Sequence, residues 1–276
     1  MIERFQLRAD KRLGQHFLLD RQLLARIVRT AGDLRGRTVL EVGPGPGGLT
    51  RALLDADAGR VIAIERDPRC VAALAELAAA PGRLEVIEAD ALRFDVTRLG
   101  ADHLVAVANL PYNIGTPLLL LWLDRIELFD VMVLMFQREV AERLAAAPGS
   151  AAYGRLSVIV QWRCEVRIAL HLPGRAFVPP PQVSSSVVQL TPRPQPMAPA
   201  DKPVLERVLA AAFGQRRKML RVSLKSLIAN PLVLLEAAGV PPTARAEEID
   251  VAGFCRLARS YAALDGGRPG QPPVRN

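Results

Sequence analysis

Asn109-Leu110-Pro111-Tyr112 puts a side-chain amide, a rigid turn and an aromatic ring into four consecutive residues. The Asn109 side-chain oxygen and the Leu110 carbonyl are hydrogen-bond acceptors, so they suit a ligand group rich in N–H, while the Tyr112 ring suits a flat heterocycle. An exocyclic purine amine meets both conditions; a carbonyl does not. The lone pair of such an amine is delocalised into its ring. Two acceptors on its N–H groups favour a more tetrahedral, nucleophilic nitrogen, turned toward an alkyl donor such as a sulfonium methyl. Direct in-line transfer of this kind rests on orientation and electrostatics and requires neither a metal nor a covalent intermediate.

A donor must lie beside that turn, and Glu41-Val42-Gly43-Pro44-Gly45-Pro46-Gly47-Gly48 has the composition to hold one. Glycines let a backbone approach a ligand closely, and a following helix presents unpaired N–H groups. Gly43, Gly45 and Gly48 satisfy the dinucleotide-binding spacing, and Glu65 follows at the distance expected of a carboxylate that accepts ribose hydroxyls. This pair fits NAD and S-adenosylmethionine equally, because both carry an adenosine ribose. Asp90 is placed either to accept the adenine amino group of such a cofactor or to cap the turn that follows it. No His, Lys or Tyr is placed as a hydride-transfer acid, and a dehydrogenase would leave the Asn109–Tyr112 segment unexplained.

These residues need a scaffold that brings strand ends together. Apolar runs at 38–43, 61–65, 84–90, 104–110 and 129–136 read as buried strands. The intervening LTRALLDADA and the segment from Asp67-Pro68 onward read as helices, the second with proline in its first turn. Strands alternating with helices imply a doubly wound α/β sheet, with ligands at its carboxyl edge. Residues 155–170 and 185–192 are predicted as later strands joined through the stiff FVPPPQ segment. The expected organisation is therefore a basic lid and first helix over 1–37, a core over 38–193, a linker over 194–202, an all-helical domain over 203–264 and a disordered tail over 265–276.

The chain has 276 residues, 50% hydrophobic and 23% charged, with a net charge of +8. This composition excludes wholesale disorder, collagen and coiled coil, and the basic excess favours an anionic partner. Cys70, Cys164 and Cys255 lie too far apart for a zinc site or a disulfide framework, and no metal is expected. No apolar run reaches the length of a membrane span, and the charged N-terminus does not read as a signal peptide, so a cytoplasmic protein is expected. The first 37 residues hold nine basic side chains, Lys11 and Arg12 among them, against four acids. Gln15 and Phe17 in that segment are positioned either to close over a cofactor and target base or, for Phe17, to fill the core. Arg216, Arg217, Lys218 and Arg221 form a second basic cluster, read either as phosphate contacts or as a solvated helix face. Phe177 and Pro179-Pro180-Pro181 are read as shaping the target-base pocket, with Phe177 either a second stacking face for the base or core.

Several segments occur together in an order that resembles the KsgA/Dim1 family of small-subunit ribosomal RNA adenine dimethyltransferases, relatives of the Erm large-subunit enzymes. They are KRLGQHFLLD, EVGPGPGGLT, IERD, EADAL, NLPYNIGTPLL, FQREVAERL, YGRLSV, FVPPPQVSSSVV and AFGQRRKMLR, and they span nearly the whole chain. The resemblance implies a Rossmann-like methyltransferase sheet with a small C-terminal helical domain. It also implies S-adenosylmethionine contacted by His16, Leu18, Gly43, Glu65, Asp90 and Asn109. By the same resemblance Asn109, Leu110 and Tyr112 serve the reaction, and Phe17, Pro111, Tyr112 and Phe177 shape the base pocket. The implied product is N6,N6-dimethyladenosine at two adjacent adenosines of the 3′-terminal hairpin of 16S rRNA. The implied partner is the 30S subunit, met by a monomer late in assembly. Position 16 is His where many members have Asn. A large-subunit substrate and an assembly factor with little catalysis are the competing readings.

Overall fold

The computed structural model describes residues 16–77 and 82–264. In chain order the elements are β1 (Phe17–Leu18), α1 (Arg21–Arg29), β2 (Thr38–Val42), α2 (Gly48–Asp55), β3 (Arg60–Glu65), α3 (Pro68–Ala75) and β4 (Leu84–Glu88). Then follow β5 (Leu104–Ala108), α4 (Tyr112–Trp122), β6 (Phe129–Gln137), α5 (Arg138–Leu144), α6 (Arg155–Arg163), β7 (Cys164–Leu172), β8 (Phe177–Val178) and β9 (Ser185–Pro192). Four further helices close the chain: α7 (Lys202–Gly214), α8 (Leu220–Ser223), α9 (Pro231–Ala237) and α10 (Val251–Leu264).

Seven strands form one sheet in the order β4-β3-β2-β5-β6-β9-β7. Pairing is parallel from β4 through β6, and β9 joins β6 antiparallel, with Phe136 opposite Ser186. The central strands are apolar on both faces: all of Leu104–Ala108 is buried, as are Val39, Leu40, Val61, Ile62 and Met132–Leu134. Such continuous apolar runs are what a sheet covered on both faces requires. Chain order reverses between β2 and β5, and at that switch point two loops diverge and leave a crevice at the strand ends. The glycine run leaves β2 there, and Asn109-Leu110-Pro111 leaves β5. The short β1 pairs antiparallel with β8, Leu18 facing Phe177.

Local signals fix the helices that frame this crevice. Asp20 caps α1 by accepting from the Gln22 and Leu23 N–H groups, and Asp67 caps α3, whose first residue is Pro68. One expectation is corrected. Residues 155–163 are the helix α6, and the strand begins only at Cys164. Ser157, Val158, Ile159 and Val160 are all buried, and a helix buried on every side has the same apolar run as a buried strand. Ser157 decides the matter locally, because its Oγ accepts the Gly154 N–H at 3.0 Å and closes the first turn.

The chain divides into two compact units. Of the described residues, one comprises 16–77, 82–141 and 165–192 and holds the crevice. The other comprises 142–164 and 193–264, so residues 142–164, expected within the core, group with the C-terminal helices. In that second unit Phe213 lies between Tyr153 and Phe254, with ring centroids at 6.2 and 5.4 Å, and the Gly149 N–H donates to the Glu247 carbonyl at 2.7 Å. The tail expected over 265–276 lies outside the described residues, as do Lys11, Arg12 and Gln15.

Candidate active site

At the switch point the first unit encloses a cavity with an empty volume of about 1110 Å³, counted out to its solvent opening. Its wall contains His16, Phe17, Leu18, Gly43, Glu65, Asp90, Asn109, Leu110, Pro111 and Tyr112. These ten come from five separate stretches of chain. Phe177 is not among them: it is 2% exposed and packs in the apolar cluster with Leu18, Val28 and Val187.

The floor is the glycine run. Gly43 and Gly45 have φ values of +67° and +55°, a region that side chains rarely adopt, and a Cβ on Gly45 would stand 3.1 Å from the Phe17 ring. The Gly45 N–H donates to Glu65 Oε2 at 3.1 Å, while Glu65 Oε1 accepts from the Arg66 and Asp67 N–H groups at 2.7 and 2.8 Å. A carboxylate offers about four lone-pair positions, so Glu65 holds its own loop and keeps capacity for a hydroxyl. Burial raises the Glu65 carboxyl above the usual range despite those three N–H donors. Asp90 fulfils its alternative reading as a turn cap, since Oδ1 accepts from the Leu92 N–H at 3.0 Å, and it also faces the cavity, with Arg66 3.6 Å from Oδ2.

The roof is built around Asn109. Its Nδ2 donates to the His16 carbonyl at 3.0 Å, which fixes the amide orientation and leaves Oδ1 as the acceptor. His16 is fixed in turn: its Nδ1 lies 2.8 Å from the Pro179 carbonyl, so that nitrogen carries the proton. The His16 ring stacks on Tyr112, centroids 5.6 Å apart, and the Tyr112 hydroxyl shares a 2.6 Å hydrogen bond with Ser185 Oγ. Burial raises the Tyr112 hydroxyl pKa, the Ser185 bond opposing it. Tyr112 is thus a neutral, braced ring beside the Asn109 amide.

Ser185 and Glu41 had no role assigned from the sequence, and Pro179, read there with its neighbouring prolines as shaping the base pocket, acts instead through its carbonyl on His16. Ser185 and Pro179 are remote in the chain and are brought in by β9 and the β1–β8 pair. Glu41, inside the glycine segment, is 1% exposed in the cavity wall; Oε2 accepts from Thr50 Oγ1 at 2.7 Å and Oε1 has no partner among the described residues. Burial, aided by nearby Glu65 and opposed by Thr50, pushes its carboxyl up to about 8. The cysteine thiols are buried and raised to about 12, 12 and 11, which removes them as nucleophiles. In the second unit Arg216, Arg217, Lys218 and Arg221 are all exposed, Arg216 also bonding the Ala151 carbonyl at 2.7 Å.

The family model described as ribosomal RNA adenine dimethylase matches residues 6–263. Proteins named ribosomal RNA small subunit methyltransferase A are similar at 61% identity in Paramagnetospirillum magneticum (96% of this chain, 95% of that one) and 60% in Rhodospirillum rubrum (93% and 89%). Among solved structures, a dimethyladenosine transferase from Plasmodium falciparum superposes with a TM-score of 0.79 at 28% identity, covering 91% of this chain and 98% of that one. The 23S rRNA methyltransferase ErmE reaches 0.69 at 28% identity, covering 89% and 99%.

Proposed function

The chain belongs to the ribosomal RNA adenine dimethylase family, and from that premise we propose that it methylates N6 of two adjacent adenosines in the 3′-terminal hairpin of 16S rRNA within the 30S subunit. The methyl donor is S-adenosylmethionine and the product N6,N6-dimethyladenosine. The protein acts as a cytoplasmic monomer on a late assembly intermediate. The observation that carries the reading is the single cavity joining a glycine floor, two cofactor-facing carboxylates and the Asn109–Tyr112 turn.

The residues present fit the cofactor. Gly43 and Gly45 line the cavity with bare backbone in a conformation that side chains rarely adopt, Glu65 has acceptor capacity for ribose hydroxyls, and Asp90 faces the same space for an adenine amine. His16 and Leu18 complete its wall. When bound, S-adenosylmethionine supplies an electrophilic methyl group on a cationic sulfur. Asn109 Oδ1 and the Leu110 carbonyl accept the N–H groups of the target amine and orient its lone pair. Pro111 fixes the turn, Tyr112 offers its ring to the base, and Phe17 closes the cofactor side. Alkylation makes the nitrogen strongly acidic, so its proton leaves without a dedicated strong base. Catalysis is then positioning plus electrostatics. Arg216, Arg217, Lys218 and Arg221, with Lys11 and Arg12, hold RNA phosphates without reading bases.

The test is transfer of labelled methyl groups from S-adenosylmethionine to unmethylated 30S particles, with 50S particles and deproteinised 16S rRNA in parallel. Labelling of 30S is expected. Labelling of 50S alone would move the substrate to the large subunit, and tight 30S binding without transfer would leave an assembly role.

A further inference from the structure

A second depression lies in the same unit, between α1 and α2, on the other side of the cavity wall. Leu24 and Gly48 belong to both. Its floor is apolar and shallow-stepped because small residues, Ala25 on α1 and Ala52 on α2, occupy the helix faces. Its rim is not apolar. Arg21, Arg29 and Arg51 line it, all exposed, and no guanidinium hydrogen bond or ion pair to another described residue holds any of them. Asp55 is the single acid among the lining residues.

Three guanidinium groups against one carboxylate, none of them paired with it, leave a net positive field over a concave surface. Arg21 and Arg29 sit eight positions apart on α1, roughly 12 Å along its axis at 1.5 Å per residue. One small anion cannot bridge that distance. A strand of linked phosphates can, and the guanidinium fork suits phosphate oxygens. The position adds a reason. The residues just before α1 are His16, Phe17 and Leu18 of the cavity wall, and the Leu18 carbonyl lies 3.0 Å from where a Gly48 Cβ would stand. A strand seated on the groove therefore lies one wall away from the cavity, on its glycine side.

We propose that the α1–α2 groove is a docking track for the sugar-phosphate backbone of the substrate RNA, with Arg21, Arg29 and Arg51 as its phosphate contacts. The proposal rests on the rRNA reading above and adds a place on the catalytic unit where the RNA is held. Asp55 opposes it and tunes the affinity downward. Phosphate contacts of this kind give register and no sequence preference.

The experiment compares the full chain with Arg21→Gln/Arg51→Gln and Asp55→Asn. Binding to unmethylated 30S particles, 50S particles and deproteinised 16S rRNA is measured from 50 to 300 mM salt, alongside S-adenosylmethionine titration and wild-type methyl transfer. The double variant should bind RNA at least tenfold more weakly at low salt, with the log–log salt slope reduced by about 2. Cofactor affinity should be unchanged, and Asp55→Asn should shift RNA affinity the opposite way. Unchanged affinity and slope would overturn the proposal. So would equal loss of cofactor binding, which would make the arginines part of the wall. Loss on 30S with unaltered binding to deproteinised rRNA would assign the groove to a ribosomal protein instead. Protection of the groove by millimolar inorganic phosphate without any change in RNA slope would reduce it to a small-anion site. Because these outcomes are read from binding, they stand apart from wild-type transfer, whose failure on 30S would count against the proposed function alone.

Discussion

Replacing Glu41 with glutamine should change how stability depends on pH, and the size of the change follows from burial. The carboxyl is 1% exposed and pushed from 4.5 up to about 8, chiefly because burial penalises its charged form. Each pH unit of that displacement is worth about 1.4 kcal/mol, so ionisation costs roughly 5 kcal/mol more in the folded chain than in the unfolded one. Between pH 4.5 and 8 the folded chain keeps a proton that the unfolded chain has released. Stability from this group is therefore complete at low pH and is lost as pH rises toward 8. Glutamine keeps an acceptor for the Thr50 hydroxyl and has no proton to lose. Urea unfolding without cofactor should show the variant gaining on the wild type by about 3 kcal/mol between pH 5.5 and 7.5. Parallel stability curves for the two proteins over that range would refute the reasoning and require a charged, otherwise compensated Glu41.

Asn109→Ala should lower methyl transfer by roughly a hundredfold or more, read from single-turnover rates, because it removes both the proposed amine acceptor and the bond to the His16 carbonyl. Near-normal turnover would take Asn109 out of the reaction. Paired Arg217→Glu and Lys218→Glu should weaken 30S binding and spare S-adenosylmethionine affinity in calorimetric titration; equal losses would deny that division. The Tyr153 hydroxyl is buried with no partner among the described residues, so Tyr153→Phe should be neutral or stabilising by about 1 kcal/mol in thermal unfolding. Gly45→Ala should weaken cofactor binding, since its Cβ would meet the Phe17 ring at 3.1 Å in a backbone conformation that alanine disfavours.

The parallel half of the sheet was readable because buried parallel strands advertise themselves as apolar runs, and β2 to β6 fall where those runs lie. The same signal misled at 155–163, where the buried run Ser157–Val160 of a helix looks like a strand and the Ser157 contact with Gly154 marks the helical turn. Within the site, the glycine segment, Glu65, Asp90 and Asn109 were legible because close backbone approach and acceptor chemistry restrict residue type. Phe177 was not: an aromatic residue near a proline turn fits either a base platform or a core, and packing opposite Leu18 made it core. The brace on Tyr112 was equally hidden, since Ser185 arrives through the antiparallel pairing of β9 with β6, a long-range event without a local mark. Charge alone marked the 216–221 cluster and, within the basic first 37 residues, Arg21 and Arg29, but not their convergence with Arg51, which arises only when α1 and α2 pack.

Nucleoside mass spectrometry of small-subunit rRNA tests the central claim most directly. Unmethylated 30S particles incubated with the chain and S-adenosylmethionine should yield N6,N6-dimethyladenosine that maps to two adjacent adenosines of the 3′-terminal hairpin. Unmodified adenosine at both positions, with cofactor bound and particles competent for a known small-subunit dimethyltransferase, would contradict it.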